Sequence, residues 1–229
     1  MPPAGMHAER RARQARTCPG SDGTPVSSEP FHRNLQRALL TLAACLLAAP
    51  AFAQRGAIAV PRNLEQLTDR ASDIVRGTIV EARVEKHPEL DNLDTIIVTL
   101  RVRETLKGDA RENFTFRQYV WDIRDRYDAA GYGKGQEVLL LMIAPSTYGL
   151  SSPAGMNQGS FLIERDASGR EMAINGTGNL RLFEGVAETA RQKGIALTTR
   201  QMSLAAKHRQ GPVEAAELTA MIRTFARNE

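Results

Sequence analysis

The sequence predicts a mainly β protein: a small curled β-barrel with a short helix before it and helices after it. Three observations lead to this fold class. Residues 74–120 contain three strand-like stretches joined by short polar turns. The first of these strands changes the side on which its apolar residues fall. From Phe183 onward the composition becomes polar and helical. The barrel is therefore expected over residues 58–185, with a helical segment packed on it over residues 186–229.

The clearest strand runs from Thr95 to Leu106, where apolar residues occupy the even positions almost throughout. This alternation predicts a strand with one buried face and one solvent-exposed face. In the preceding strand the apolar side switches, with Val75, Gly77 and Ile79 on one side and then Val80, Ala82 and Val84 on the other. A period of two cannot change phase without an extra residue, so a bulge is predicted between Gly77 and Val80. Bulges of this kind curl sheets into small barrels.

The other elements follow from local signals. Asn63 followed by Gln66 predicts a capped helix before the first strand. A third strand is expected over residues 113–121. The stretch 137–144 is apolar on both sides, which predicts burial of both its faces. Residues 159–164 and 171–175 are expected to form a hairpin.

The C-terminal segment carries an amphipathic stripe. Four apolar residues fall at i, i+3, i+4 and i+7, namely Leu218, Met221, Ile222 and Phe225. The width of the stripe favours a helix that packs back on the barrel. A helix that binds a partner or a membrane is the alternative.

Residues 32–53 are predicted to be an export signal. Arg33 and Arg37 precede an apolar run that ends in Ala51-Phe52-Ala53, a small-x-small cleavage site. Cleavage after Ala53 would place the protein in the periplasm or the medium. A lipoprotein processed at Cys45 is the less favoured alternative, and the apolar run is too short for a membrane anchor. Residues 1–31 are expected to be disordered or to reflect a misplaced start site.

The composition of the chain after Ala53 argues against several kinds of site and partner. Both cysteines, Cys18 and Cys45, fall in the expected leader, so disulfides and thiolate metal sites are not expected beyond it. Residues 1–53 hold six Arg and three acids of the chain's 30 basic and 26 acidic residues, which leaves 24 and 23. A net charge near +1 gives no electrostatic reason to expect nucleic acid as a partner.

No catalytic or metal signature occurs. Ser151, Ser152 and Ser160 lie in no Gly-x-Ser-x-Gly elbow, and His87 and His208 lie in charged, surface-like stretches. The polar stretch 87–94 is expected to be a solvated hairpin loop. Acids at every third position from residue 122 lack the alternation of a calcium loop. We therefore predict a protein that is not an enzyme, with no catalytic residue, metal or cofactor.

Four aromatic residues are the candidate binding residues: Tyr119, Trp121, Tyr127 and Tyr132. They cluster around the loop after the third strand, where their rings could stack on a sugar or cover a partner surface. The alternative for Trp121 is that it plugs the end of the barrel, as lone aromatic residues commonly do.

Several motifs resemble a group of exported bacterial proteins, mostly of unknown function. The matching stretches are residues 71–80 (ASDIVRGTIV), 106–109 (LKGD), 135–141 (GQEVLLL), 149–153 (GLSSP), 157–161 (NQGSF) and 175–179 (NGTGN). The similarity covers most of residues 64–185. Members of that group are encoded near secreted zinc proteases, so the resemblance implies a role beside a protease.

More distantly, the motif order is similar to the netrin-like domain of the tissue inhibitors of metalloproteases. That resemblance implies an OB-like barrel. Ser72 stands where the netrin-like pattern has Ala, and the chain after Ala53 lacks the N-terminal cysteine that those inhibitors place on zinc. The fold can therefore transfer while the inhibitory mechanism does not.

These observations predict an exported, non-catalytic module that acts through contacts with another exported protein, such as a secreted protease that it assists or inhibits. An envelope module that binds oligosaccharides is the first alternative, since OB-like barrels bind such ligands across one face. A structural component of an envelope assembly is the second. The sequence does not indicate an oligomeric state.

Overall fold

The computed structural model describes residues 60–227. The expected leader, its cleavage site, both cysteines and the last two residues lie outside the described residues. The strands are β1 (Asp73–Lys86), β2 (Asp94–Lys107), β3 (Asn113–Tyr119), β4 (Glu137–Met142), β5 (Ser160–Arg165), β6 (Glu171–Asn175) and β7 (Val213–Glu214). The helices are α1 (Leu64–Arg70), α2 (Asp125–Asp128), α3 (Val186–Gln192), α4 (Thr199–Lys207) and α5 (Ala215–Ala226), with 3-10 turns at Ala129–Gly131 and Met156–Gln158.

The seven strands form one antiparallel sheet in the order β3-β2-β1-β4-β5-β6-β7. The mainly β fold class, with helices at both ends, is confirmed. The closed barrel is not formed by the described strands, because β5, β6 and β7 extend the sheet beyond β4 and leave β3 at the opposite edge.

A loop after β4 lies beside that free edge. The Ser151 amide donates to the Arg117 carbonyl of β3 at 2.8 Å, and the Ile143 amide donates to the Ser152 carbonyl at 3.0 Å. Residues 150–153 therefore contact both β3 and the end of β4. These are isolated bridges rather than a further strand.

Strand β1 bends as the phase change predicts. Its pairing with β2 shifts register between Arg76 and Gly77 and again between Ile79 and Glu81, which confirms the bulge. Before the bend β1 also pairs with β4, and beyond Thr78 it pairs with β2 alone. The bend thus joins two halves of the sheet, in line with the twist that bulges introduce.

Two cores lie on opposite faces of the sheet. The helix-side core contains Leu139 and Leu141 of β4 with α1, α3 and α5, and it buries the four-residue stripe of α5. The inner core contains the alternate β4 residues with apolar residues of β1, β2 and β3. Burial of both faces of β4 is therefore confirmed. Within residues 60–227, no helix is long and apolar enough to cross a membrane.

Helix α1 begins at the residue that the sequence indicates. The Gln66 amide donates to the Asn63 side chain at 3.0 Å, and the Asn63 amide donates back to the Gln66 side chain at 3.1 Å. This reciprocal pair is a capping box, which satisfies amides that have no partner inside the helix. The Asn63 carboxamide also donates to the Glu184 carbonyl, so the same cap ties α1 to the chain before α3.

An ion network crosses the sheet at Arg76. Its guanidinium contacts Glu137 of β4 and Glu171 of β6, each at 2.5 Å. Arg103 and Arg165 add further contacts to these two carboxylates. Arg76 is itself buried, whereas both glutamates keep about a quarter of their side chains exposed. One guanidinium therefore neutralises acids from two different strands.

This network predicts a loss of stability in acid. The hydrogen bond from Arg76 lowers the pKa of Glu171 below its ordinary 4.5. Because the folded pKa lies below the unfolded one, this stabilisation is present above pH 4.5 and is lost as the pH falls through the folded value. We expect the Tm of the wild type to fall below pH 4.5, and Glu171→Gln to flatten that fall. The control is Glu164→Gln at an exposed position, which should leave the profile unchanged.

Candidate functional site

A groove of about 760 Å³ opens beside the inner core, and we call it the Trp121 groove. One wall is the end of β3 with the excursion over residues 121–135. The other walls are the loop 152–158 and the β5–β6 hairpin with the turn after it. The volume lies within the roughly 300–1,000 Å³ typical of small-molecule sites. Sequence reasoning placed candidate residues here but did not indicate a groove.

The excursion is held by polar contacts at both ends. One carboxylate oxygen of the buried Asp125 accepts the backbone amides of Trp121 at 3.1 Å and Asp122 at 3.0 Å. Arg126 forms an ion pair with Asp94 of β2 at 2.6 Å. Ala130 packs against the inner core. These contacts fix the position of the Trp121 backbone at the groove entrance.

The structure separates the four predicted aromatic residues into two groups. Tyr119, Trp121 and Tyr127 are exposed by 43%, 50% and 85%, and we call them the aromatic rim. The rings of Tyr119 and Trp121 meet edge to face, with centroids 5.1 Å apart. Tyr132 instead packs inward on Phe116, with centroids 5.7 Å apart. Trp121 and Tyr132 line the groove, whereas Tyr119 and Tyr127 do not.

The Tyr132 phenol is a proton donor at the groove. Burial raises the pKa of Tyr132 to about 12, and a hydrogen bond with the Ser160 side chain opposes that shift. A phenol with this pKa keeps its proton at neutral pH, so it can donate a hydrogen bond. Ser160 also lines the groove, which places two hydroxyl groups on the same wall.

Gln118 is a groove residue that sequence reasoning missed. It follows Phe114 and Phe116 on the inward face of β3 and is only 5% exposed. Its carboxamide lines the groove and forms no hydrogen bond with any other residue between 60 and 227. Its nitrogen and oxygen are accessible from the groove, so they can bind water or a ligand there. The sequence does contain a signal for this residue, because Gln118 is polar at a position where the alternation of Phe114 and Phe116 predicts an apolar residue.

The groove lining is more apolar than polar and carries little charge. Asp125 is the one charged residue among the described residues that line it. Two lining amides have structural roles: Asn175 donates to the Gln158 carbonyl, and the Gln158 side chain accepts the Arg62 amide. Gln136 also lines the groove, and its carboxamide oxygen accepts the Gly133 amide at 2.7 Å. The groove therefore presents neutral donors and acceptors.

The candidate catalytic residues have structural partners. His87 is buried, so the prediction of a solvated, surface-like position is wrong for this residue. Its Nδ1 accepts the Glu89 amide at 3.1 Å and its Nε2 donates to the Tyr148 carbonyl at 2.8 Å. The Ser151 hydroxyl donates to the Ile143 carbonyl at 2.6 Å. Among residues 60–227, no group of three or more His, Cys, Asp or Glu could hold a metal ion.

Comparison with known proteins adds no relative. No model of a known protein family matches the chain, and a search of curated proteins gives no match either.

Proposed function

We propose that the chain is an exported, non-catalytic interaction module that binds another exported protein through the aromatic rim. The observation that carries this proposal is the exposure of three large aromatic side chains at the end of β3 and on the excursion that follows it, at Tyr119, Trp121 and Tyr127. Aromatic residues are enriched among the residues that contribute most to binding energy at protein interfaces, because they bury a large area with few rotatable bonds.

The rim is prepared for binding before a partner arrives. Asp125 fixes the backbone of Trp121, and the Arg126–Asp94 pair ties the excursion to β2. A surface that is already ordered loses less conformational entropy on association, so more of its contact energy appears as affinity. This order supports an interface role over a solvated loop.

The sequence motifs support a partner of a particular kind. The resemblance to exported proteins encoded near secreted zinc proteases favours an accessory or inhibitor-like role beside such a protease. The OB-like, netrin-like relationship belongs to the same proposal, although the described sheet is open. Any inhibition would use contacts other than an N-terminal cysteine, since no cysteine follows Ala53.

Two further features support the proposal. The export signal over residues 32–53 supports the periplasm or the medium as the place of action. The hydrogen bonds of His87 and Ser151 with backbone carbonyls support a non-catalytic role, because they use the groups that a triad would need.

We expect Trp121→Ala to weaken binding of the protein partner by about thirtyfold, the loss of about 2 kcal/mol typical of a central aromatic contact. The half-exposed side chain contributes little to the core, so the Tm should stay near that of the wild type. The full chain would be isolated from its native compartment, the copurifying protein quantified by mass, and its affinity then measured with purified components.

The control is Tyr148→Ala, which removes an aromatic residue of similar exposure that does not line the Trp121 groove. Its backbone carbonyl, which binds His87, is retained. Partner binding should be unchanged in this variant. Equal binding by wild type and Trp121→Ala, or unfolding of Trp121→Ala, would count against the rim as the interface.

A further inference from the structure

Four polar residues line the Trp121 groove and differ in chemistry from the aromatic rim. We call them the floor of the groove: Gln118, Tyr132, Gln136 and Ser160. Gln118 provides two N–H donors and one acceptor oxygen at a position that faces inward with Phe114 and Phe116. No residue between 60 and 227 satisfies that carboxamide. The carboxamide nitrogen and oxygen are open to the groove, where water can satisfy them in the free protein, so both are available to a ligand that displaces that water.

Other polar groups face the same space. The protonated phenol of Tyr132 and the N–H groups of Gln136 can donate, and the Ser160 hydroxyl can donate or accept. The Asp125 carboxylate is held by two backbone amides through one oxygen, and a carboxylate has the capacity to accept further hydrogen bonds. The groove thus offers several donors and acceptors on a rigid wall, as sites for polar small molecules do.

The charge of the lining excludes several ligand classes. The described lining residues include no Lys, Arg or His, so the groove has no cation to bind phosphate, sulfate or a carboxylate. Its single acid already accepts two backbone amides, and no second acid lines the groove to help it hold a cation. A neutral ligand rich in hydroxyl groups matches the lining.

We propose that the floor of the Trp121 groove binds a neutral oligosaccharide, with Gln118 as its buried hydrogen-bonding residue and Trp121 as the ring that covers one sugar face. Sugar rings combine an apolar C–H face with a hydroxyl edge, and the indole and the carboxamide match these two surfaces. The site shares Trp121 with the rim but does not require the protein partner. The protein would then hold an exported protein and a saccharide together.

The test uses the fluorescence of Trp121, the single tryptophan of the chain. The purified full chain would be titrated with maltotetraose, cellotetraose and tetra-N-acetylchitotetraose, with polygalacturonate as a charged comparison and a neutral Gly/Ser/Asn tetrapeptide as a peptide comparison. We expect a saturable change with at least one neutral saccharide and none with polygalacturonate or the peptide.

Gln118→Leu is the decisive variant. Saccharide binding should weaken at least tenfold, while the Tm stays near that of the wild type, because the carboxamide forms no hydrogen bond with any residue between 60 and 227. The matched control is Gln192→Leu on α3, at an exposed position outside the groove, which should keep full binding.

Three results would overturn the proposal. A lower Tm for Gln118→Leu would show that the carboxamide supports the fold. Binding of the tetrapeptide in place of every saccharide would assign the groove to a different ligand class. No response to any neutral saccharide, with the protein partner still bound and still lost in Trp121→Ala, would reject the saccharide and leave the proposed function standing.

Discussion

Gly77→Ala is expected to lower the free energy of unfolding by about 3 kcal/mol, the upper part of the range for overpacking a buried site. A Cβ atom at this position would lie 2.3 Å from the carbonyl oxygen of Arg101 and 3.1 Å from the Cα atom of Val102. Both are backbone atoms of the paired strand, so no rotamer change can relieve the clash. Strand β1 would have to move away from β2 at the bend.

Urea denaturation of the wild type and of Gly77→Ala measures this loss of stability. The control is Gly133→Ala, where the nearest atoms belong to the flexible side chain of Gln136, at 3.1 Å. That side chain can shift by a few tenths of an ångström and keep its hydrogen bond with the Gly133 amide, so the control should lose less than about 1 kcal/mol. Equal losses in the two variants would mean that the close approach of β1 to β2 does not constrain the residue at position 77.

Arg76→Met is the second large effect, with an expected loss of about 2 kcal/mol. Removing one partner of a buried ion pair commonly costs about 3–5 kcal/mol, because the remaining charges stay unpaired. The partial exposure of Glu137 and Glu171 lets water offset part of that cost. Methionine keeps the apolar stem of the side chain, so the measured loss reports mainly on charge.

Two comparison proteins separate charge from packing. Arg83→Met removes an exposed arginine that also contacts two acids, Glu81 and Glu85, and should leave the free energy of unfolding close to that of the wild type. Adding Glu137→Gln and Glu171→Gln to Arg76→Met should recover part of the loss, since neither acid is then left without its buried partner. Arg103 and Arg165, which also contact these acids, are exposed and remain solvated. Failure to recover stability would indicate that packing of the Arg76 stem, rather than its charge, holds the strands together.

The local features of the sheet could be predicted because each produces a pattern among residues that are close in sequence. The alternation from Thr95, the phase change around Gly77 and the double-sided apolar run of β4 all follow from side-chain period alone. The cap at Asn63 is equally local. These local patterns determine which residues face a core, but they do not determine which strands pair in the sheet.

The features that could not be predicted depend on distant parts of the chain. Whether the sheet closes into a barrel depends on which strands β5 pairs with. The alternation of apolar and polar residues along a strand is the same whether the sheet closes or stays open. His87 is buried because the carbonyl of Tyr148, far along the chain, reaches its ring. Gln118 looks like an ordinary polar edge residue until the excursion folds beside it and buries it.

The place of β1 between β2 and β4 has a consequence for the order of assembly. Strands β1, β2 and β3 are neighbours in sequence, whereas β4 joins β1 only after the excursion has been synthesised. Local pairing closes short loops and forms early, while pairing across long loops carries a larger entropic cost. We therefore expect a nascent chain to form a three-strand meander first, in which Arg76 still lacks Glu137 and Glu171. Its inner core is then open to solvent until the second half of the chain emerges.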